Sequence, residues 1–243
     1  MHISVCMATY NGENYIKEQV TSILSQLGSE DELIVSDDMS TDDTIEIIRS
    51  FNDTRIKIYE HKNNHGFVKN FENALIHSTG EFIFLSDQDD IWFKNKISET
   101  MKILEKYDFV VSDCVTIGKD KNVISESRIK QFNIKKGFIR EIIKNRYLGC
   151  CMAFNRKVLN AALPFPANVD LVEHDTWLAS VASLYFKFYL LNKPLIYYRR
   201  HGDNVSDGGF SRGYSIGNKV YRRLYRIYYL LKIKNSRSNR NEL

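Results

Sequence analysis

The sequence predicts a single α/β domain, with a mainly parallel sheet flanked by helices, followed by a basic C-terminal helix. Three observations predict this. In the first half of the chain, short apolar segments alternate with segments of helical periodicity, the pattern of βαβ units. Polar residues follow directly after several apolar segments, and positive charge is concentrated in the tail. The composition, with 43% hydrophobic and 26% charged residues, excludes a disordered chain.

Strands and helices alternate through the first half. Apolar segments predict strands at 3–7, 32–36, 56–59, 81–86 and 108–112. The spacing of apolar residues predicts helices at 15–27, 67–76 and 92–107. A further helix follows Ser40, a favourable N-cap, with Asp43 in its first turn. This half is therefore Rossmann-like, and its ligand site should lie at the carboxyl ends of the parallel strands.

The second half is less regular and contains no visible internal repeat. Residues 113–136 are polar and predict a loop over the sheet edge. Helical signal returns at 137–145 and 176–185, and apolar segments predict strands at 150–154 and 195–199. We therefore expect one globular domain, residues 1–211, and a basic tail, residues 212–243. The tail has nine lysines and arginines and one acid, which gives it a net charge of +8. Because the whole chain has a net charge of +4, the domain has a net charge of −4.

Several classes of protein are excluded. No G-x-G-x-x-G follows the first strand and no G-x-x-x-x-G-K-[ST] occurs, which excludes a dinucleotide site and a P-loop. An EF-hand starting at Asp87 would need Gly where Trp92 stands. No apolar run is near the roughly 18 residues that a membrane-spanning helix needs. The start lacks a signal-peptide pattern, and the adjacent Cys150 and Cys151 would bridge only with strain, so we expect reduced thiols in the cytoplasm.

An acidic cluster after the fourth predicted strand carries the strongest chemical signal. Asp87 and Asp89, two residues apart at a strand end, point to the same side and can share one ion. Carboxylate oxygens suit Mg²⁺ or Mn²⁺, which bind one or two carboxylates together with substrate phosphates. The alternative is structural, with Asp89 or Asp90 serving only as the cap of the following helix.

Four segments, in order, resemble motifs of the family 2 inverting glycosyltransferases, which have the GT-A nucleotide-sugar fold. These segments are ATYNGENYI, IVSDDMSTDDT, SDQDDIW and EHDTW. SDQDDIW and the later YRRHGDNVS are similar to bacterial rhamnosyltransferase-like members, which build capsule, O-antigen or wall polysaccharide. The resemblance spans residues 2–206, and the combination of motifs is specific although each motif alone is not.

The resemblance implies roles for individual residues. Thr9, Tyr10 and Asp38 stand where the nucleobase and ribose are held. Asp87 and Asp89 match the DxD motif, the first near the ribose or diphosphate and the second as a direct metal ligand. His201 stands where some members have a further metal ligand.

The same resemblance gives the general base. Asp175 matches it, immediately before the helix that carries Trp177, but many relatives read Glu-Asp where this chain has Glu173-His174-Asp175. The choice between Glu173 and Asp175 therefore stays open, with Asp175 favoured. Lys69 and Arg200 are expected at the diphosphate on charge alone.

Together these observations predict an inverting, metal-dependent glycosyltransferase. The donor would be a nucleotide-diphosphate sugar, dTDP-rhamnose or a UDP-hexose, and the acceptor a glycan, lipid-linked, in bacterial cell-surface polysaccharide synthesis. One alternative is a nucleotidyltransferase, although the Gly-rich, Arg-containing loop of that class is missing after the first strand. Another is a non-catalytic scaffold subunit of a polysaccharide-assembly complex. The acidic body opposes nucleic-acid binding.

The tail segment 219–234 predicts a basic amphipathic helix. Val220, Leu224, Ile227 and Leu231 form one stripe, with Tyr221 and Tyr228 beside it, and the cations Lys219, Arg222, Arg223 and Arg226 lie on another face. Such a helix suits the surface of an anionic membrane, which predicts a peripheral position on the inner face of the cell membrane. The alternative has the stripe packed on the body and the charges in water.

Overall fold

The computed structural model describes residues 2–61, 66–202 and 215–238, with the side chains of the last helix described as far as residue 233. A nine-stranded sheet, flanked by helices, runs through these ranges. The strands are β1 (Ile3–Thr9), β2 (Glu32–Asp37), β3 (Ile56–Glu60), β4 (Phe82–Ser86), β5 (Ile91–Trp92), β6 (Phe109–Gly118), β7 (Val123–Ser125), β8 (Met152–Asn155) and β9 (Phe188–Arg200).

The helices alternate with these strands. They are α1 (Ile16–Leu24), α2 (Thr44–Ser50), α3 (Phe67–His77), α4 (Lys96–Leu104), α5 (Arg128–Gln131), α6 (Phe138–Ile143), α7 (Arg156–Ala162), α8 (His174–Tyr185) and α9 (Ile216–Ser238). A 3-10 turn at Gly149–Cys151 leads into β8.

The sheet is mixed, with strand order β3-β2-β1-β4-β8-β6-β9-β5 and β7 on β6. Strands β3, β2, β1 and β4 are all parallel, β8 is antiparallel to both of its neighbours, and β6 and β9 are parallel. Strands β1 and β2 are almost wholly buried because they lie at the centre of the sheet with helices over them. The predicted α/β class, with a parallel first half, is confirmed.

The predicted loop at 113–136 is wrong. Strand β6 continues to Gly118, and β7 and α5 follow it. Asp113, one of the polar residues that suggested a loop, is buried in β6 and accepts hydrogen bonds from the hydroxyl of Ser127 and from the main-chain N–H of Ile129 at 3.0 Å. A strand can therefore carry polar residues into the core when the following turn satisfies them.

Two predicted helix starts are also wrong. Residues 91–92, placed at the start of a helix, pair instead with β9, and α4 begins at Lys96. Ser40 does not cap α2, which begins at Thr44; its hydroxyl donates to Asp37 at 2.6 Å. Helix α7 was not predicted, and β9 begins seven residues earlier than expected.

Helix α9 packs against α8 with its arginines turned inward. Leu230 is buried, and its carbonyl accepts a hydrogen bond from the hydroxyl of Tyr185 at 2.6 Å. Arg226 is also buried. Of the predicted apolar stripe, Val220, Leu224 and Leu231 are exposed, and Ile227 is half-buried. The alternative for the tail, in which the apolar stripe packs on the domain and the arginines face water, is therefore not observed. The predicted boundary at 211/212 lies outside the described residues.

Helix length and hydropathy bear on membrane insertion. Across the described stretches, no helix has both the length and the apolar character needed to cross a membrane.

Candidate active site

The candidate site lies at the carboxyl ends of β1, β2 and β4, where a parallel sheet presents its loops to ligands. The register pairs Thr9 with Asp37 at the ends of β1 and β2, and Met7 with Ser86 on β4. The loops that carry the predicted donor and metal residues therefore begin side by side.

The end of β2 is organised by two buried aspartates. Asp37 accepts hydrogen bonds from the hydroxyl of Thr9 at 2.7 Å and from the main-chain N–H of Ser40 at 2.8 Å. Asp38 donates its N–H to the carbonyl of Thr9 at 3.0 Å, and its carboxylate accepts the N–H of Gly66 at 2.8 Å. Thr9 thus joins the two strand ends through its hydroxyl and its carbonyl. The structural importance of Asp37 was not predicted.

Gln88, the central residue of the DxD segment, clamps the loop after β1. Its side-chain carbonyl accepts the N–H of Tyr10 at 2.8 Å, and its amide donates to the carbonyl of Tyr10 at 2.9 Å. A Cβ at Gly12 would come within 2.5 Å of Oε1 of Gln88, so only glycine leaves room for the clamp. The ring of Tyr10 stays exposed at the mouth of the site. No sequence signal marked Gln88.

The predicted metal ligands Asp89 and His201 are in contact. Nε2 of His201 lies 2.8 Å from Oδ2 of Asp89, and the His201 ring stacks on Tyr15 with centroids 4.7 Å apart. The neighbouring Arg199 donates from Nε to the carbonyl of Asp89 at 2.8 Å. The structure therefore joins two predicted metal ligands that are far apart in sequence.

The capping alternative is excluded, because α4 begins six residues after Asp90, with Asn95 at its N-cap. Asp90 is instead fully buried. One of its oxygens accepts the N–H of Arg199 at 3.0 Å, and the other has no hydrogen-bond partner in the described part of the chain.

Asp87 and Asp90 lie together, with one ligand atom of each and of Cys150 all within 4.8 Å of one another. Burial, and then the charge of Asp89, raise the pKa of Asp87 to about 7. Two adjacent carboxyl groups repel when ionised, so a cation between them would relieve both the burial and the repulsion. The described residues therefore form two groupings, Asp87 with Asp90 and Cys150, and Asp89 with His201, and not the single set of Asp87, Asp89 and His201 expected from the sequence. Carboxylate oxygens and an imidazole nitrogen are ligands that Mg²⁺ or Mn²⁺ can take.

A buried cation lies behind these acids. The ammonium of Lys96 donates to the carbonyl of Cys150 at 3.0 Å and lies 4.9 Å from the ring centre of Trp92. Burial lowers its pKa, and the negative charges of nearby groups, Asp90 among them, oppose this. Its position was not predicted, since a lysine at the start of a helix usually faces solvent.

The predicted base, Asp175, lies in the first turn of α8, where its carboxylate accepts the N–H of Thr176. Burial, and then the charge of Glu173, raise the pKa of Asp175 to about 7, and Asp87 adds to this. Glu173 itself is exposed. Asp175, the carboxylate favoured from the sequence, therefore feels the charge of a DxD acid.

The imidazole of His174, the residue before the predicted base Asp175, is buried. It stacks on Phe71 with centroids 4.1 Å apart, and neither ring nitrogen has a hydrogen-bond partner among the described residues. Burial lowers its pKa to about 3, so the ring is neutral. A Cβ at Gly149 would lie 2.6 Å from its Nε2, so the ring depends on glycine at that position. From the sequence, His174 was noted only because it separates Glu173 from Asp175 where many relatives read Glu-Asp, and its burial was not predicted.

Two further charged residues lie behind α8. Glu141 of α6 is buried, and Arg226 of α9 lies 3.7 Å from it. Burial raises the pKa of Glu141 to about 8, the charge of Arg226 opposes this, and the charge of Asp175 adds to it. The tail helix therefore contributes to the electrostatic surroundings of the proposed base, which the sequence did not indicate.

The two cations assigned to the diphosphate lie in different places. Lys69, on α3, forms an ion pair with Glu72 one turn along the same helix, and no described contact joins it to the acids. Arg200 ends β9 and directly precedes His201, so its backbone lies at the acidic cluster. Residues 203–206 of the YRRHGDNVS segment lie outside the described residues.

Comparisons with known proteins agree on one family. Residues 4–163 match the family model "Glycosyl transferase family 2". The chain is 28% identical over 236 residues to the Escherichia coli UDP-Glc:alpha-D-GlcNAc-diphosphoundecaprenol beta-1,3-glucosyltransferase WfgD, covering 94% of this chain and 90% of WfgD. It is 30% identical over 242 residues to the Shigella flexneri dTDP-rhamnosyl transferase RfbG, covering 89% and 81%.

A solved structure shows the same fold. Staphylococcus aureus TarS 1–349 in complex with UDP-GlcNAc superposes with a TM-score of 0.69 at 22% identity. The match covers 88% of this chain but only 62% of the TarS chain, so this chain spans about three-fifths of that solved structure.

Proposed function

The chain belongs to glycosyl transferase family 2 and is a glycosyltransferase, and from this premise we propose that it is an inverting, metal-dependent enzyme of bacterial cell-surface polysaccharide synthesis. The observation that carries the proposal is the convergence of acids from separate segments. Asp89 contacts His201 at 2.8 Å, and the charge of Asp87, from the same DxD segment, raises the pKa of Asp175 on α8. We take Asp89 and His201 as metal ligands, and Asp175 as the base, of one site.

In the proposed reaction, Asp175 receives the proton of an acceptor hydroxyl as that oxygen bonds to the anomeric carbon of the donor sugar. The bond from the anomeric carbon to the diphosphate oxygen breaks at the same time, and its electron pair leaves with the nucleoside diphosphate. Because attack comes from the side opposite the leaving group, the anomeric configuration inverts. A bound Mg²⁺ or Mn²⁺ would supply positive charge to the departing diphosphate.

We assign the donor side to the ends of β1 and β2. Tyr10 and Asp38, together with the backbone around Thr9, would hold the base and ribose, and Arg200 the diphosphate. We retain Lys69 as a weaker assignment, since diphosphate binding would have to break its ion pair with Glu72. Pyrimidine donors are favoured by the relatives, because WfgD is named for UDP-Glc and RfbG for a dTDP-linked rhamnose.

The proposed acceptor is a glycan carried on a lipid diphosphate. Support comes from WfgD, whose name specifies a diphosphoundecaprenol-linked GlcNAc acceptor. A lipid-linked acceptor requires work at a membrane surface, so we propose a peripheral position on the inner face of the cell membrane, with the tail as the contact.

The decisive experiment is a donor panel. Purified protein is incubated with UDP- and dTDP-sugars, with Mn²⁺ or Mg²⁺, and with GlcNAc on a polyprenyl diphosphate. We expect release of a nucleoside diphosphate, and NMR should show a product of inverted anomeric configuration. Both should form about 10²–10⁴ times more slowly with Asp175→Asn. Release of pyrophosphate would indicate a nucleotidyltransferase instead. Donor binding without any turnover across the panel would support a scaffold subunit and contradict the proposal.

A further inference from the structure

Helix α9 presents an apolar face to solvent. Six side chains share it, at spacings of three, four and seven residues: Ile216, Val220, Tyr221, Leu224, Tyr228 and Leu231. Each is at least 44% exposed, and Ile216 reaches 82%. Large apolar side chains exposed in this number on one helix face mark an interaction surface.

The arginines of α9 explain why this face points outward. Arg223 donates to the carbonyl of Ile143 at 2.6 Å, and Arg226 donates to the carbonyl of Ile142 at 2.7 Å. These carbonyls belong to the last turn of α6, where a helix leaves its carbonyls without internal partners. Arg222 reaches the carbonyl of Asp170 in the same way. Rotating α9 to bury the stripe would break all of these bonds.

Helix α6 extends the same surface. Ile139 and Ile143, one turn apart, are 74% and 59% exposed. The bond from Arg223 to Ile143 puts this pair beside the α9 stripe, because Arg223 adjoins Leu224 in the chain. We call the six α9 residues together with Ile139 and Ile143 the two-helix apolar surface.

Positive charge surrounds the two-helix apolar surface. Exposed cations accompany both helices: Lys135, Lys136, Arg140, Lys144, Lys219 and Lys232. The one acid of α6, Glu141, is buried, and residues 216–238 contain no acid. Exposed tyrosines with nearby lysines suit the headgroup region of a bilayer, and Lys232 lies 4.6 Å from the ring centre of Tyr228.

From this combination we propose that the two-helix apolar surface docks on an anionic lipid bilayer, with Ile139 and Ile143 of α6 inserting alongside the stripe of α9. The proposal rests on the proposed function for its purpose, since a lipid-linked acceptor lies at that bilayer. The arginines expected to bind lipid instead fasten α9 to the body, so apolar insertion and the lysines carry the membrane contact. Helix α9 packs on α8, which carries Asp175. The docked bilayer would therefore lie on the α8 side of the molecule.

Vesicle flotation with the full chain tests this proposal. Vesicles of phosphatidylglycerol and phosphatidylcholine are compared with phosphatidylcholine alone, at low and high salt. The paired changes are Ile139→Asn with Ile143→Asn on α6, and Leu224→Asn with Leu231→Asn on α9. Ile76→Asn is the matched control, because Ile76 is a 60% exposed isoleucine on α3, outside the surface.

We expect wild type and Ile76→Asn to float with the anionic vesicles, less strongly at high salt. Each paired change should lower the partition coefficient about tenfold or more, because apolar side chains lose their insertion. Thermal unfolding should be unchanged in all variants, since the altered side chains are exposed. If the variant with Ile139→Asn and Ile143→Asn binds vesicles as strongly as wild type, α6 takes no part in docking. The two-helix apolar surface would then be wrong, and α9 alone would contact the bilayer.

Two further outcomes would decide against the bilayer. No flotation of wild type would overturn the proposal, and self-association that the α9 pair abolishes would assign the surface to a second copy of the chain. Transfer to a water-soluble acceptor is measured in parallel. Flotation without sugar transfer would contradict the proposed function and support the docking surface. Sugar transfer without flotation would support the proposed function and contradict the docking surface.

Discussion

Replacing Asp175 by Asn should lower turnover by orders of magnitude while leaving donor binding intact, because an amide cannot accept the proton of the acceptor hydroxyl. The side chains are nearly equal in size, so the first turn of α8 should keep its shape. Removing a positioned base typically costs about 10²–10⁴ in rate. We expect a loss of that size in turnover.

The raised pKa of Asp175, about 7, sets the pH dependence. Burial and the charge of Glu173 favour the protonated form, so acidification removes the active carboxylate. Below the pKa, each pH unit lowers the ionised fraction about tenfold. Wild-type turnover should therefore fall about tenfold per unit on the acidic side, and the residual rate of Asp175→Asn should lack this limb.

Glu173→Gln is the matched control. It removes a negative charge that raises the pKa of Asp175, so the acidic limb should move to lower pH and activity in mildly acidic buffer should rise. Initial rates of nucleoside diphosphate release are measured at saturating donor and acceptor over a pH series. Calorimetry reports donor binding, and thermal unfolding reports the fold.

Two results would refute this reasoning. If Glu173→Gln is inactive and Asp175→Asn is active, Glu173 is the base. A flat wild-type profile across the acidic range would mean that ionisation of a buried carboxyl does not limit turnover.

Three other changes test the site and the tail. EDTA should abolish transfer, and Asp89→Ala should do so without unfolding the protein; full activity in EDTA would exclude the metal. Gly149→Ala puts a Cβ 2.6 Å from Nε2 of His174 and should cost about 1–3 kcal/mol in denaturant unfolding, with a lower turnover. If this variant is as stable and active as wild type, the contact is not as tight as described. Arg226→Gln should destabilise the protein by about 1–3 kcal/mol, since it leaves buried carbonyls unpaired, whereas the more exposed Arg222→Gln should cost less; equal effects would contradict the assigned burial.

Much of the first half could be predicted because burial on both faces makes central strands continuously apolar, as in β1 and β2. The same rule failed for β6, whose Asp113 is buried but satisfied by Ser127 and by a main-chain N–H. It failed again at Ile91–Trp92, because a two-residue strand is defined by its partner, β9, and has no periodicity of its own.

In the candidate site, the resemblance of the motifs assigned roles to Asp89, His201 and Asp175, and the structure brings the first two into contact. The Gln88 clamp and the buried His174 could not be predicted. A glutamine that bonds to a neighbouring loop has the same sequence appearance as one in water. The burial of His174 depends on the space above Gly149, which comes from a different segment.

The sequence by itself determined the α/β class, the order of the acidic motifs and the two faces of the tail helix, because strand and helix periodicity and the spacing of acids are local properties. Only the tertiary structure decided which face of α9 points inward. An amphipathic pattern shows which residues share a face of a helix, but it does not show which face packs on the domain. In α9 the arginine face bonds to α6 and the apolar face is exposed. The carbonyls at the end of α6 lack partners within their own helix, and Arg223 and Arg226 supply the missing donors. That requirement arises only once the two helices meet, and it turns the apolar stripe toward solvent.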